Sequence, residues 1–207
     1  MAPATNNDAA GLSPKQQAKR DERMQSLVAA GYDTIALVGF EGMRTRDIAA
    51  AAGVNIATLH YYFKRKADMI HAIAEHILDE VLAIRSGAPS GPEQDELTVF
   101  VESILARFAD DPSLFIVLGE ISLRSIRDAE CAGALKRLDD GLVIHVGGIL
   151  VRSIESGVYS AQLSPPLAAA IIVSQIKGLS IQAIINPNSF DFASSLRELL
   201  RWVVAQA

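Results

Sequence analysis

The chain has 207 residues, 50% of them hydrophobic and 21% charged, a composition that argues against overall disorder and allows one ordinary core or a core with a small satellite domain. Its single cysteine, Cys131, excludes an internal disulfide and a cysteine-clustered metal site. The apolar residues are mainly Ala, Leu, Ile and Val, and only 6% of residues are aromatic, which favours an all-α fold over a sheet.

Charge is distributed unevenly along the chain. The net charge is −5, yet residues 1–66 carry nine Lys and Arg against six Asp and Glu, while residues 67–207 carry ten against eighteen. Five basic residues lie close together in the first part: Arg44, Arg46, Lys64, Arg65 and Lys66. A local basic face on an acidic protein predicts binding to phosphates without adhesion to every polyanion.

Neither the start of the chain nor its most apolar stretch predicts a membrane protein. Residues 1–14 are small and polar, lack the charged-then-apolar order of a secretory signal and are expected to form a disordered tail. The most apolar stretch, 168–185, is interrupted by five polar residues: Ser174, Gln175, Lys177, Ser180 and Gln182. We therefore expect no bilayer span, no membrane partner and a cytoplasmic location.

The first two predicted helices lie before residue 53. The first covers Lys15–Val38, because its apolar residues recur at spacings of three, four and seven, and Gly39 is expected to cap its end. The second begins with Thr45 as N-cap, has an acid in its first turn and closes near Ala52.

A third helix is predicted after a tight turn at Gly53, with Asn55 as its N-cap and an apolar and aromatic run from Ile56 to Phe63. Two short helices joined by a glycine turn match the helix-turn-helix, whose second helix enters the DNA major groove. The residues expected to face inward are Ile48, Ala49, Ala52, Val54, Leu59 and Phe63. The residues expected to face outward are Ile56, Ala57, Thr58, His60, Tyr61 and Tyr62.

The remainder of the chain predicts a larger helical bundle. A fourth amphipathic helix covers Lys66–Arg85, and the composition of Gly87–Pro92 predicts a loop. Five more helices are expected at 93–109, 112–127, 130–156, 165–185 and 190–206. The fold class is therefore all-α with about nine helices, comprising a helix-turn-helix head at 15–66 and a larger helical domain at 67–207.

The segment Gly39–Ile70, GFEGMRTRDIAAAAGVNIATLHYYFKRKADMI, resembles the DNA-binding head of the TetR family, the tetracycline-repressor-like regulators. Shared features are Gly-Phe after helix one, Thr-x-x-Ile-Ala in helix two, Ala-Gly-Val in the turn, and Thr-Leu then Tyr-Phe in helix three. The similarity covers roughly residues 20–72; beyond them only the helix count and length agree. It implies a repressor that binds a pseudo-palindromic operator as a dimer and is released by a small-molecule effector. Residues 67–207 would then be the ligand-binding and dimerisation domain.

The resemblance also implies roles for individual residues of the head. Thr45 and Arg46 would meet the DNA backbone or a groove edge, because helix N-termini and cations attract phosphate oxygens. The face that reads bases would hold apolar and methyl-bearing side chains, which suit contact with thymine methyl groups. Its members are Ile56, Ala57, Thr58 and Tyr61, with Asn55 at the helix start. The residues expected to grip phosphates are His60, Tyr62 and Lys66.

The last two predicted helices are apolar on too many faces for one monomer to bury, which predicts a dimer interface. The residues assigned to it are Ile172, Ile176, Leu179, Leu196, Leu199, Leu200 and Val203. An apolar or amphipathic effector is expected among the middle helices, lined by Phe100, Phe108, Phe115 and Leu118. His145 is either a core histidine or a ligand contact.

Other classes of function have weaker support in the sequence. His71 with Glu75, and His76 with Glu80, stand four apart, but two histidines five apart do not share a helix face, so no metal site is predicted. The sequence contains no recognisable catalytic motif, so an enzyme is not predicted. No cofactor is expected. Two rivals to the repressor remain open: a helical small-molecule sensor or carrier that does not bind DNA, and an activator or constitutive DNA binder.

Overall fold

The computed structural model describes residues 13–83 and 95–205, and these residues form nine α-helices and no strand. The helices are α1 (Pro14–Gly42), α2 (Thr45–Ala51), α3 (Ile56–Tyr62), α4 (Lys66–Ala83), α5 (Glu96–Asp110), α6 (Ser113–Ser125), α7 (Ala129–Glu155), α8 (Pro165–Ile185) and α9 (Phe192–Ala205). The predicted all-α fold is therefore confirmed. The predicted tail at 1–14 lies almost wholly outside the described residues, as does the predicted loop Gly87–Pro92.

Helix α1 begins at a capping box and is broken by a glycine. The Ser13 hydroxyl accepts a hydrogen bond from the Gln16 amide, and the Gln16 side chain accepts one from the Ser13 amide, so two of the amides that lack a helical partner at the helix start are bonded. Gly39, with φ 72° and ψ 173°, adopts a conformation that is almost confined to glycine. The regular helix therefore ends at Gly39, as predicted, before a short turn that runs to Gly42.

Helices α4 and α7 join the head to the rest of the molecule. Helix α4 packs on α1 and on α7, and α7 also packs on α5, α6 and α8. At the crossing of α4 and α7 the chain has Gly141, where an added Cβ would lie only 2.8 Å from Cδ2 of Leu78. A glycine there lets the two helices approach closely, and one continuous apolar core runs from the head into the bundle.

Helix α8 is long and apolar enough to cross a membrane, judged by length and composition alone. Of its five polar residues only Lys177 is charged, so they do not take the helix below that threshold, which core helices of globular proteins also reach. In the fold, α8 packs on α6, α7 and α9. Its side chains at Ala169, Ile172 and Ser180 are fully or almost fully buried there.

Candidate nucleic-acid interface and ligand cavity

The N-cap of helix α2 is one residue earlier than predicted. Arg44 is the N-cap, with extended backbone and no capping bond from its side chain, and its carbonyl oxygen accepts hydrogen bonds from the amides of Asp47 and Ile48. Thr45 is the first helical residue, which corrects its assignment as the N-cap. Arg46 is exposed and pairs with Asp47 at 3.3 Å.

The turn between α2 and α3 requires a glycine for its backbone conformation. Gly53 has φ 64°, and nothing lies within 4 Å of the position that a Cβ would occupy. Its amide bonds to the carbonyl of Ala50, and the amide of Val54 bonds to that of Ala49, so the end of α2 is capped as in many helices that finish at a left-handed glycine.

Helix α3 is capped by Asn55, as predicted. Its side-chain oxygen accepts a hydrogen bond from the Thr58 amide at 2.8 Å and a second from the Thr58 hydroxyl at 3.0 Å. The hydroxyl proton of Thr58 is therefore used inside the helix, and its oxygen is left as an acceptor. Leu59 and Phe63 are buried against Ile48 and Ala49, which confirms the predicted inward set, with Ala52 and Val54 partly buried beside them.

The other side of α3 is open to solvent. Ile56 is 45% and Tyr61 59% exposed, Ala57 and His60 are exposed, and Thr58 and Tyr62 are half-buried. The rings of Tyr61 and Tyr62 meet edge to face, with centroids 5.3 Å apart. This contact restricts the orientation of the exposed Tyr61 ring. Ile56 and Tyr61 leave about half of their surface exposed to water, so this face of α3 is available for an interaction.

The basic residues around α2 and α3 differ in how far they are already paired. Arg65 forms ion pairs with Asp68 and with Glu130 of α7. Lys66 donates from Nζ to the carbonyl of Phe40 at 3.0 Å and lies 4.1 Å from the centre of its ring, and burial lowers the pKa of this ammonium.

Arg44 and Lys64, by contrast, are exposed and form no ion pair with the described residues. Arg44 lies just before α2, and Lys64 lies just after α3. The sequence alone identified these two residues only as members of a basic cluster. Of the five basic residues in this cluster, Arg44 and Lys64 are the two whose side chains form no ion pair or hydrogen bond with the described residues, so they are free to contact a phosphate.

A hydrogen bond joins the head to α6 at the break in α1. Because Gly39 is not helical, the Phe40 amide has no partner within α1, and it donates to Oε2 of Glu120 at 2.8 Å. Arg124, one turn further along α6, lies 5.0 Å from the centre of the Phe40 ring and pairs with Glu41.

A narrow apolar cavity of about 30 Å³ lies between helices α4 to α8. Its lining residues are Val81, Phe100, Ile104, Leu114, Phe115, Leu118, Leu142, Val146, Val173, Ile176 and Lys177. Three predicted ligand residues, Phe100, Phe115 and Leu118, therefore meet at one cavity. The volume is far below the several hundred Å³ of ordinary ligand sites, so a ligand has to push the lining helices apart.

The two other predicted ligand residues, Phe108 and His145, do not line the cavity but pack against residues that do. Phe108 packs on Phe115 and on Phe192 of α9, with ring centres 5.1 and 4.6 Å away. His145 packs on Phe100 at 5.5 Å between ring centres, and its Nε2 is buried with no hydrogen-bond partner among the described residues. Burial, reinforced by Arg152, lowers the pKa of His145.

The structure corrects the residues assigned to the dimer interface. Leu179 is half-buried, and the other six have at most 8% of their surface exposed within the single chain, so they form its own core. Those six are Ile172, Ile176, Leu196, Leu199, Leu200 and Val203. The exposed apolar residues of the same two helices are Leu167, Ile171, Ile185 and Trp202.

No group of three or more His, Cys, Asp or Glu side chains among the described residues is placed to hold a metal ion. The two histidines of α4 have other partners. His71 bonds through Nε2 to the carbonyl of Glu130 at 2.8 Å, and His76 lies 3.6 Å from Glu80 and packs edge-on against Tyr32.

Residues 27–73 match the family model of bacterial regulatory proteins of the tetR family. The fatty acid metabolism regulator protein of Bacillus subtilis is 24% identical over 192 residues, which cover 90% of this chain and 96% of that protein. The HTH-type transcriptional repressor LfrR of Mycolicibacterium smegmatis is 38% identical over 81 residues, covering 38% of this chain and 39% of its own length.

The fold agrees with solved structures of such regulators. The transcriptional regulator FadR of Bacillus subtilis, solved in complex with stearoyl-CoA, superposes with a TM-score of 0.71 at 22% identity and covers 88% of this chain and 98% of its own. The helix-turn-helix, the family match at 27–73 and the nine-helix fold agree with one another. The chain therefore belongs to the tetR family and is a transcriptional regulator with a DNA-binding helix-turn-helix.

Proposed function

We propose that the chain is a dimeric repressor that binds a pseudo-palindromic operator through α3 and leaves it when an apolar or amphipathic ligand enters the cavity. The observation that carries the DNA-binding part is the open face of α3. Ile56, Ala57 and Tyr61 are exposed there, and Arg44 and Lys64 flank it with free cations. Apolar side chains contact thymine methyl groups, and the cations contact phosphates.

The roles of the remaining head residues belong to the same proposal. At the start of α2, Thr45 and Arg46 approach the DNA backbone. His60 and Tyr62 contact phosphates beside the base-reading face of α3. Asn55 acts through the helix cap. The ammonium of Lys66 is already bonded to the Phe40 carbonyl, so Lys64 takes over the phosphate contact that the resemblance gives to Lys66.

The dimer is proposed to form through the exposed face of α8 and α9. Leu167 and Ile171 stand four residues apart on α8 and are 67% and 55% exposed. Ser174, Gly178 and Gln182 continue the stripe, which is small enough for close packing of two copies of the helix. A two-fold axis through this face would set two α3 helices about one DNA turn apart, roughly 34 to 36 Å.

Ligand control is supported by the position of α6. Its first half lines the cavity with Leu114, Phe115 and Leu118, and its second half holds the head through Glu120. A ligand that displaces α6 therefore changes the position of the head, and it shifts the equilibrium by as much as it prefers the displaced state. Relatives named for fatty acid metabolism and for stearoyl-CoA binding support a ligand with a long apolar part.

The domains and location follow from this proposal. Residues 1–14 precede the head, 15–66 bind DNA, and 67–207 bind the ligand and dimerise, with α4 serving as the connection. A regulator of this kind acts in the cytoplasm, where the DNA is, without a membrane partner, cofactor or catalytic step.

A gel-shift experiment tests the proposal. The full-length protein is titrated into a duplex from the region upstream of its own gene and into a shuffled duplex of equal composition. We expect a shift with the genomic duplex at lower protein concentration, and a steep loss of affinity with salt. Failure to shift any duplex from that region at low salt would favour the sensor or carrier. Ligand-enhanced binding, or transcription that falls when the gene is deleted, would favour an activator.

A further inference from the structure

Lys177 is the one charged residue in the lining of the apolar cavity. It lies in the middle of α8, and its Nζ donates to both carboxylate oxygens of Asp139 on α7, at 2.8 and 2.9 Å. Both side chains are partly withdrawn from water, with 20% of Lys177 and 36% of Asp139 exposed. The ammonium therefore lies beside an otherwise apolar space, with the Asp139 carboxylate as its counter-ion among the described residues.

Such a pair is not needed to stabilise the bundle. Taking two charges out of water costs about as much free energy as their attraction returns, and a well-packed apolar pair of similar volume serves as well or better. A cation at the edge of an apolar cavity does, however, discriminate between ligands. It attracts an acidic headgroup, offers little to a hydroxyl and repels an ammonium.

We propose that Lys177 recognises the acidic headgroup of an amphipathic ligand whose alkyl part fills the cavity, and that this headgroup replaces Asp139 as the counter-ion. The inference rests on the proposed function, since it names the ligand class of the same cavity. It assigns a role to two residues that neither the sequence nor the relatives' names single out. The chemical class is an alkyl chain that ends in a carboxylate or a phosphate.

The exchange of counter-ion has a route to the DNA-binding head. Asp139 lies two residues before Gly141, where α7 touches Leu78 of α4, and three before Leu142, which lines the cavity. One turn of α7 thus contacts Lys177, the ligand space and α4 together. When Asp139 loses Lys177, this turn loses its ion pair with α8 while the apolar packing of the two helices remains. The turn can then shift slightly, together with α4, which begins four residues after α3 ends.

The test compares three ligands that share a ten-carbon chain and differ in the charge of the head: decanoate, decan-1-ol and decyltrimethylammonium. Each is titrated calorimetrically into the full-length protein, decanoate and decyltrimethylammonium below their micelle concentrations and decan-1-ol below its solubility limit. We expect decanoate to bind about tenfold or more tightly than decan-1-ol, and decyltrimethylammonium to bind most weakly. Lys177→Met should remove the preference for decanoate, whereas Lys177→Arg should keep most of it.

Two further variants make the result specific. Asp139→Asn removes the competing carboxylate and leaves the cation, so decanoate should bind more tightly than to the wild type while decan-1-ol is unchanged. This variant tests the proposal with the opposite sign even if Lys177→Met fails to fold. Lys136→Met, which removes an exposed lysine of α7 paired with Asp140, should leave all three affinities unchanged.

The outcomes separate this inference from the proposed function. Equal binding of decanoate and decan-1-ol, or a preference that survives in Lys177→Met, would overturn the role of Lys177 and leave the apolar cavity as the ligand site. If none of the three probes binds, the ligand part of the proposed function fails as well, while operator binding in the gel-shift experiment stands or falls separately.

Discussion

The Glu120 carboxylate accepts a hydrogen bond from the backbone amide of Phe40 at 2.8 Å, although 80 residues separate them in the chain. The bond exists because Gly39 ends the regular part of α1 and leaves that amide without a helical partner. It connects the head to the helix whose other half lines the cavity. The head is thus attached to α6 at a definite atom, and two variants test this attachment.

Replacing Glu120 should destabilise the fold and loosen the head. Glu120→Ala leaves the part-buried Phe40 amide unpaired, and we expect the free energy of unfolding to fall by about 1–3 kcal/mol in urea titrations. Glu120→Gln keeps an acceptor oxygen and should lose less. Glu41→Ala, which removes a carboxylate that is 88% exposed, is the control and should change stability by less than about 0.5 kcal/mol. Equal losses for Glu120→Ala and Glu41→Ala would contradict this view.

The conformation of Gly39 predicts a second loss. Gly39→Ala forces a Cβ into a backbone conformation that other residues rarely adopt and brings it 3.3 Å from Oε2 of Glu120, so we expect a cost of about 1–3 kcal/mol. The matched control is Gly133→Ala, inside α7 with open space around it. It should stabilise the protein by about 0.5–1 kcal/mol. Thermal unfolding of both variants gives the comparison, and a neutral Gly39→Ala would mean that the break in α1 is not required.

Lys64 is expected to contribute one phosphate contact. Lys64→Ala should weaken operator binding by a similar factor for every duplex and reduce the slope of log affinity against log salt by about 1. Lys136→Ala, an exposed lysine on α7 that is far from α3 in the chain, should change neither quantity. If Lys64→Ala keeps the wild-type slope of log affinity against log salt, Lys64 makes no phosphate contact, and Lys66 becomes the candidate for it.

The exposed stripe of α8 predicts how the dimer can be broken. Ile171→Asp places a charge on the proposed two-fold face, where it would be desolvated and meet its own copy, so sedimentation velocity should detect monomer at concentrations at which the wild type is a dimer. Ile144→Asp changes an isoleucine of α7 that is 74% exposed and should leave the dimer intact. If Ile144→Asp dissociates the protein and Ile171→Asp does not, the interface lies on α7.

The partly buried ring of His145 makes stability depend on pH. Burial, with Arg152 adding to it and Glu96 opposing it, lowers the pKa of His145 below its ordinary 6.5. The unfolded chain therefore binds a proton that the folded chain does not, and stability should fall as pH drops below about 6.5 until the folded pKa is passed.

His145→Gln removes this contribution, and the free energy of unfolding measured between about pH 8 and about pH 5 should then decrease less than in the wild type. His60→Gln, which changes an exposed histidine of α3, is the control and should keep the wild-type dependence. An unchanged slope in His145→Gln would show that other groups cause the decrease.

Much of the head was predictable because its signals are local. The cap at Asn55, the left-handed glycines at 39 and 53, and the alternation of buried and exposed residues in α3 depend on neighbours a few positions away. The helices of the bundle were likewise predicted within a few residues, since Pro, Gly and the apolar period mark their limits. The assignment of Thr45 as a cap was wrong by one residue because Arg44 supplies the cap through its backbone alone.

Only the tertiary structure decided which surfaces are free. The apolar period groups Ile172, Ile176 and Leu196 with Leu167 and Ile171 as hydrophobic, but it does not say which face meets the same chain and which is left for a second copy. The pairing of charged side chains likewise depends on the tertiary structure. Lys66 and Lys177 look like solvated lysines in the sequence, and the carbonyl and carboxylate that hold them come from residues 26 and 38 positions away. A side chain's partner across the core depends on helix packing, and packing is a property of the whole chain.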